Sequence, residues 1–170
     1  MEKSINQEDV RAAVCDAGAP ELASYLRERF GLPQTDLRQY SPLTLAFIGD
    51  DIYDLIVRTI LVEQGNAPVN RLNRRATHVV SAVAQCKMME TIEPMLTEEE
   101  RGVYRRGRNA KSATASKNAP LADYRTATGL EALCGYLYLG GQTGRLIELL
   151  EAGLAASGEQ KGQEKNHEKR

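Results

Sequence analysis

Two carboxylates stand where a carboxylate is costly. Asp50 comes three residues after Phe47 and three before Tyr53, in a stretch whose apolar residues Leu43, Ala46, Phe47, Tyr53, Val57 and Ile60 recur at helical spacing. A lone acid in the middle of such a side costs on the order of several kcal/mol unless a cation or donor meets it. Glu131 follows 81 residues later, flanked at minus four, minus three, plus three and plus four by Ala127, Thr128, Cys134 and Gly135. All four are small, so another helix can approach closely and leave the carboxylate in the seam. Two such acids suggest a shared divalent cation. Magnesium takes oxygen ligands and keeps several waters, so one or two protein carboxylates suffice when substrate phosphates complete the shell. Manganese accepts the same ligands. The competing account satisfies each acid with an arginine, a hydroxyl or a helix end.

The other candidates carry less. Asp54 lies one turn beyond Asp50, but it also stands four residues before Arg58, the favourable orientation for a helix ion pair, and the pair is the expectation. Asp51 points about 100° away from Asp50 and reads as a bystander. His78 falls in a helical run and His167 in the C-terminal tail, so they make no acid–base pair. No serine, threonine or cysteine has nucleophile-elbow spacing. A metal-activated water attacking a phosphodiester is the chemistry that uses what is present. Between Arg101 and Lys117 there are six basic residues and no acid. Within this run Arg105, Arg106, Arg108, Asn109, Lys111 and Lys117 are the candidates for phosphate contacts, and Gly107–Ala119 reads as an exposed loop. No aromatic lies between Arg105 and Ala122, so base stacking on single strands is not supported. Reading the backbone of a duplex fits better.

Helices must position these groups. Ser41–Pro42 is a helix start and Gly65 a stop, framing the Asp50 helix. Residues 7–30 read as a helix divided near Gly18 and Pro20, with Val10, Val14, Leu22, Leu26 and Phe30 as its apolar members, and 31–40 as a linker. One helix is expected from Asn70 to about Ile92, with Leu72, Ala76, Val79, Val80, Val83 and Met88 inward, ended by Pro94. Thr97 and Glu100 form a capping box for the next helix. The Glu131 helix spans Pro120–Gly140, and Thr143 caps a last helix with Leu146, Ile147, Leu150 and Leu154. Residues 157–170 are polar and aromatic-free and read as a disordered tail.

The resulting expectation is an all-α chain in three parts: an N-terminal helical extension over 1–40, a catalytic domain over 41–156 and the tail. With 22 basic and 23 acidic residues there is no global nucleic-acid signature, so any such site is local. Three scattered cysteines argue against a disulfide framework or a zinc site. No apolar run is long enough for a bilayer, and the start lacks a signal-peptide core, so a cytoplasmic location is expected.

LAFIGDDIYDLIVR (45–58) resembles the signature helix of ribonuclease III catalytic domains, and ATGLEALCGYLYL (127–139) resembles their second acidic helix. The stretch between Arg105 and Leu133 is similar to that of the small bacterial Mini-ribonuclease III subfamily, whose members lack a double-stranded-RNA-binding domain. The resemblance runs from Tyr40 to Ala155. It implies a helical endonuclease acting as a homodimer on double-stranded RNA with magnesium, Asp50 and Glu131 being the catalytic and metal-binding acids. It also implies trimming of a 23S ribosomal RNA precursor. Two further acids of full-length ribonuclease III are replaced here by Leu43 and Thr128, as in the Mini subfamily. Two rivals of another class stand beside it. One is a non-catalytic RNA-binding or ribosome-associated protein on the same fold, motivated by those missing acids. The other is a helical magnesium-dependent nucleotide pyrophosphohydrolase, motivated by the Asp50/Asp54 spacing.

Overall fold

A computed structural model describes residues 21–111 and 121–156. The chain divides into two compact units, Met1–Thr35 and Asp36–Arg170. In the first unit a helix, α1, spans Leu22–Phe30 and stops at Gly31, whose φ of 59° suits glycine. Its expected apolar members Leu22, Leu26 and Phe30 are exposed; Val10, Val14 and the expected break at Gly18 lie outside the described residues.

The second unit opens on a short 3₁₀ turn, Leu37–Gln39, where a linker was expected; Asp36 accepts the Arg38 backbone N–H at 3.0 Å. α2 then spans Pro42–Glu63. Ser41 Oγ accepts the Thr44 N–H at 3.1 Å and proline occupies the first turn, so the start is as the sequence reads. α2 buries Leu45, Ala46, Gly49, Ile52, Tyr53, Val57 and Leu61. This corrects the expected buried side: Leu43, Phe47 and Ile60 are exposed, and so is Asp50. The helix turns its Leu45–Gly49–Ile52 line inward, because that line carries the glycine that allows close approach. Asp50 therefore sits at a rim rather than within an apolar face.

The single helix expected over 70–92 is two, α3 (Val69–Val80) and α4 (Ala82–Ile92), broken at Ser81. Ser81 takes an extended conformation and its Oγ accepts the Ala84 N–H at 3.3 Å, an N-cap inside what reads as continuous periodicity. The break exposes Val83, which was expected inward. A 3₁₀ turn, Glu93–Met95, follows, and α5 runs Glu98–Asn109 behind the full Thr97/Glu100 capping box. α6 spans Leu121–Leu139 and α7 Thr143–Ala156, so Thr143 opens α7 from within rather than capping it, and Ile147 is exposed.

α6 is the centre. It packs against α2, α4, α5 and α7 and is buried almost continuously from Thr126 to Leu137. Around it Leu45, Tyr53, Met88, Met89, Ile92, Leu130, Leu133, Leu137, Leu146, Leu149 and Leu150 form the core. Among the described residues every regular element is helical, and none is long and apolar enough to cross a membrane. The C-terminal residues 157–170, read as a disordered tail, lie outside the described residues.

Candidate active site

The acids meet because two helices cross backbone to backbone. A Cβ built on Gly49 would overlap the carbonyl oxygen of Glu131 and stand 2.7 Å from the Gly135 nitrogen. Reciprocally, a Cβ on Gly135 would overlap the Leu45 carbonyl oxygen and stand 2.9 Å from its carbon. Only glycine fits either place. Asp50, next to Gly49, and Glu131, one turn before Gly135, are carried to this crossing by the chain itself. The small flanks of Glu131 — Ala127, Thr128, Cys134 and Gly135 — are all buried, as the sequence implies.

Burial first, and then the charge of Asp50, push Glu131 up to about 7, with the Gln85 amide pulling the other way. Asp50 is also raised, by partial shielding from water and by Asp51 and Asp54. Among the described residues no basic group faces either acid. The arginine, hydroxyl or helix end that would make these acids structural is absent from that set. Glu131 has the Gln85 amide as its polar neighbour. No group of three or more His, Cys, Asp or Glu suited to a metal occurs among the described residues, so a metal at this crossing would have Asp50 and Glu131 as its protein carboxylates. Such a pair fits a hydrated magnesium or manganese ion, which needs few protein oxygens.

The neighbours sort as follows. Asp54 Oδ2 accepts from Arg58 Nε at 2.6 Å, the expected ion pair, while its Oδ1 is buried without a partner. Asp51 is exposed. Arg105, Arg106, Arg108 and Asn109 are exposed on the last turns of α5, not in a loop, and exposed Lys111 follows the helix end. α5 persists to Asn109 because Gly107, the first residue of the expected loop, is buried against Gly129 and Ala132 of α6. Lys117 lies outside the described residues.

Two site features escape sequence reading. Gly49 reads as a weak helix residue, and nothing local tells that a second backbone rests on it. Gln85 reads as a polar surface position of one long helix. The break at Ser81 turns it inward, 2 % exposed, beside Glu131.

The comparisons agree with this geometry. The model for the Ribonuclease III domain matches residues 43–142. The chain is 51 % identical over 111 residues to a Mini-ribonuclease 3 of Symbiobacterium thermophilum, covering 65 % of this chain and 85 % of that one. It is 50 % identical over 130 residues to the Mini-ribonuclease 3 of a Thermoanaerobacter species, covering 76 % and 92 %. A crystal structure of a Fusobacterium nucleatum protein superposes with a TM-score of 0.67 at 28 % identity, covering 75 % of this chain and 98 % of that one. These matches displace the pyrophosphohydrolase and the non-catalytic readings. With its two acidic helices in register, the chain belongs to the Mini-ribonuclease III branch of the ribonuclease III family and is an endoribonuclease.

Proposed function

We propose that the enzyme cleaves double-stranded RNA with Mg²⁺ held by Asp50 and Glu131, Mn²⁺ being a working substitute. One observation carries the reading: two acids joined at a glycine-tight crossing, both raised in pKa by burial and Glu131 also by the charge of Asp50, with no basic partner among the described residues. Ribonuclease III enzymes act on double-stranded RNA, generally with a divalent metal, and typically dimerise. When bound, the ion supplies an activated water for in-line attack and charge stabilisation at the leaving 3′ oxygen. The protein's part is to present two carboxylates from the rigid α2–α6 pair. Arg105, Arg106, Arg108, Asn109, Lys111 and Lys117 hold the phosphates of the duplex.

The working unit is a homodimer, each centre cutting one strand. Phe47, 76 % exposed, and Leu43 beside it give α2 an apolar outer edge in line with Asp50, which favours a second copy there. The substrate in the cell is a 23S ribosomal RNA precursor. The test offers the protein a labelled duplex from the ends of that precursor, an unrelated duplex, a single strand and nucleoside triphosphates. Metal-dependent cutting of the precursor duplex, leaving 5′-phosphate ends, is expected. Equal cutting of the unrelated duplex would remove the precursor assignment. Intact duplexes with hydrolysed nucleotides would overturn the substrate class.

A further inference from the structure

Gln85 is a buried polar residue that packing alone does not explain. The helix break at Ser81 leaves the last carbonyls of α3 without their usual partners, and side chains take them one by one. Ser81 Oγ donates to the His78 carbonyl at 3.2 Å, Tyr53 Oη to the Val79 carbonyl at 3.1 Å, and Gln85 Nε2 to the Val80 carbonyl at 3.2 Å. An amide nitrogen carries two hydrogens. The same amide lies near the Glu131 carboxyl and draws its pKa down against the effect of burial. Gln85 Oε1 is fully buried and has no partner. An orphan acceptor at a buried site is unfavourable, and a methionine of similar length would avoid it. The amide stands beside the one acid that the crossing fixes, and its free atom is an acceptor. A hydrated cation is the arrival that brings donors.

We propose that Gln85 is a positioning residue of the acidic centre: it anchors the Glu131 carboxyl to the Val80 carbonyl and keeps Oε1 for water entering with a hydrated divalent cation. This rests on the metal reading of Asp50 and Glu131. Through Val80 and Val79 the broken end of α3 thus reaches both acidic helices, Gln85 meeting Glu131 on α6 and Tyr53 belonging to α2. The residue acts through Glu131 and not on the substrate.

The test titrates Mn²⁺ into RNA-free protein at one pH, followed by electron paramagnetic resonance, for wild type, Gln85→Met, Gln85→Asn, Asp50→Asn and Glu131→Gln, with a thermal melt of each. Partners of metal ligands typically contribute tenfold to a hundredfold in affinity. Q85M is expected to melt within a few degrees of wild type and to bind Mn²⁺ about tenfold or more weakly. Q85N, whose amide is one methylene short, is expected to fall between. Wild-type Mn²⁺ affinity in Q85M overturns the proposal. So does loss of folding in both Gln85 variants, which makes the amide structural only. Unchanged Mn²⁺ binding in D50N and E131Q instead removes the metal reading beneath it, so the two failures are told apart.

Discussion

Replacing Gly49 by alanine is the smallest change that opens the site from within. The new Cβ would overlap the Glu131 carbonyl oxygen and lie 2.7 Å from the Gly135 nitrogen, where ordinary contact begins at 3.4 Å. The nitrogen alone demands a retreat of 3.4 minus 2.7, or 0.7 Å, and the oxygen demands more. Neither obstacle is the end of a flexible side chain, so α2 and α6 must part along a core that includes Leu45, Tyr53, Leu133 and Leu137. Overpacking typically costs about 1–3 kcal/mol, and backbone obstacles put this case at the top of that range. Alanine's better helix propensity returns up to about 1 kcal/mol. A net loss of about 2 kcal/mol is expected in urea unfolding. Parting the helices also misplaces Asp50 against Glu131, and a displacement of about 1 Å can lower a rate by about 10²-fold. Gly102→Ala is the control: the added Cβ meets only Arg106 Nη1 at 3.6 Å. It should stabilise α5 by about 0.5–1 kcal/mol and leave cutting unchanged. If G49A melts with G102A and cuts duplex at the wild-type rate, the crossing does not set the site.

Arg145 grips Glu100 through Nε at 2.9 Å and Nη2 at 3.0 Å, and donates to the Met95 carbonyl at 2.7 Å. Arg145→Met strands a buried carboxylate and should cost about 3 kcal/mol by urea unfolding at neutral pH. The arginine holds Glu100 below its usual range, so this stability is full above the ordinary glutamate pKa and is lost as pH falls below it. R145M should flatten that acid limb of a stability–pH curve. Glu131 has the opposite sign. Its folded pKa of about 7 exceeds the ordinary 4.5, so the metal-free folded state binds the extra proton and stability falls as pH rises from 4.5 to about 7. Glu131→Gln should remove that slope in thermal melts run with chelator, and an unchanged slope would assign it elsewhere. Arg106→Ala with Arg108→Ala should weaken duplex binding for all sequences and reduce the log–log salt slope by about one per lost phosphate contact.

Much of the site was legible because its signals are local. Ser41–Pro42, the Thr97/Glu100 box, the Asp54–Arg58 spacing and the small residues around Glu131 each act within one or two turns, and the structure bears each out. Errors came where tertiary contact decides. The apolar side of α2 is ambiguous by periodicity, since Phe47 and Leu45 both recur helically. The close approach of α6 at Gly49 selects Leu45 and leaves Phe47 outside. Ser81 is a weak helix former that becomes an N-cap only when Tyr53 and Gln85 take the carbonyls freed beside it. Arg108 and Asn109 read as loop because 107–119 is rich in Gly, Ser, Asn and Lys, yet Gly107 is buried against α6 and the helix continues past it.

The central claim, that Asp50 and Glu131 form one metal-dependent cutting centre, is tested most directly by duplex cleavage under single-turnover conditions with Mg²⁺. Wild type, Asp50→Asn, Glu131→Gln and the double variant are compared, and folding of each is checked by its thermal melt. Because the two acids act as a unit, each single variant should lose nearly as much rate as the double, and chelator should reduce wild type to the same level. Folded double variant that still cuts the duplex at the wild-type rate would contradict the account.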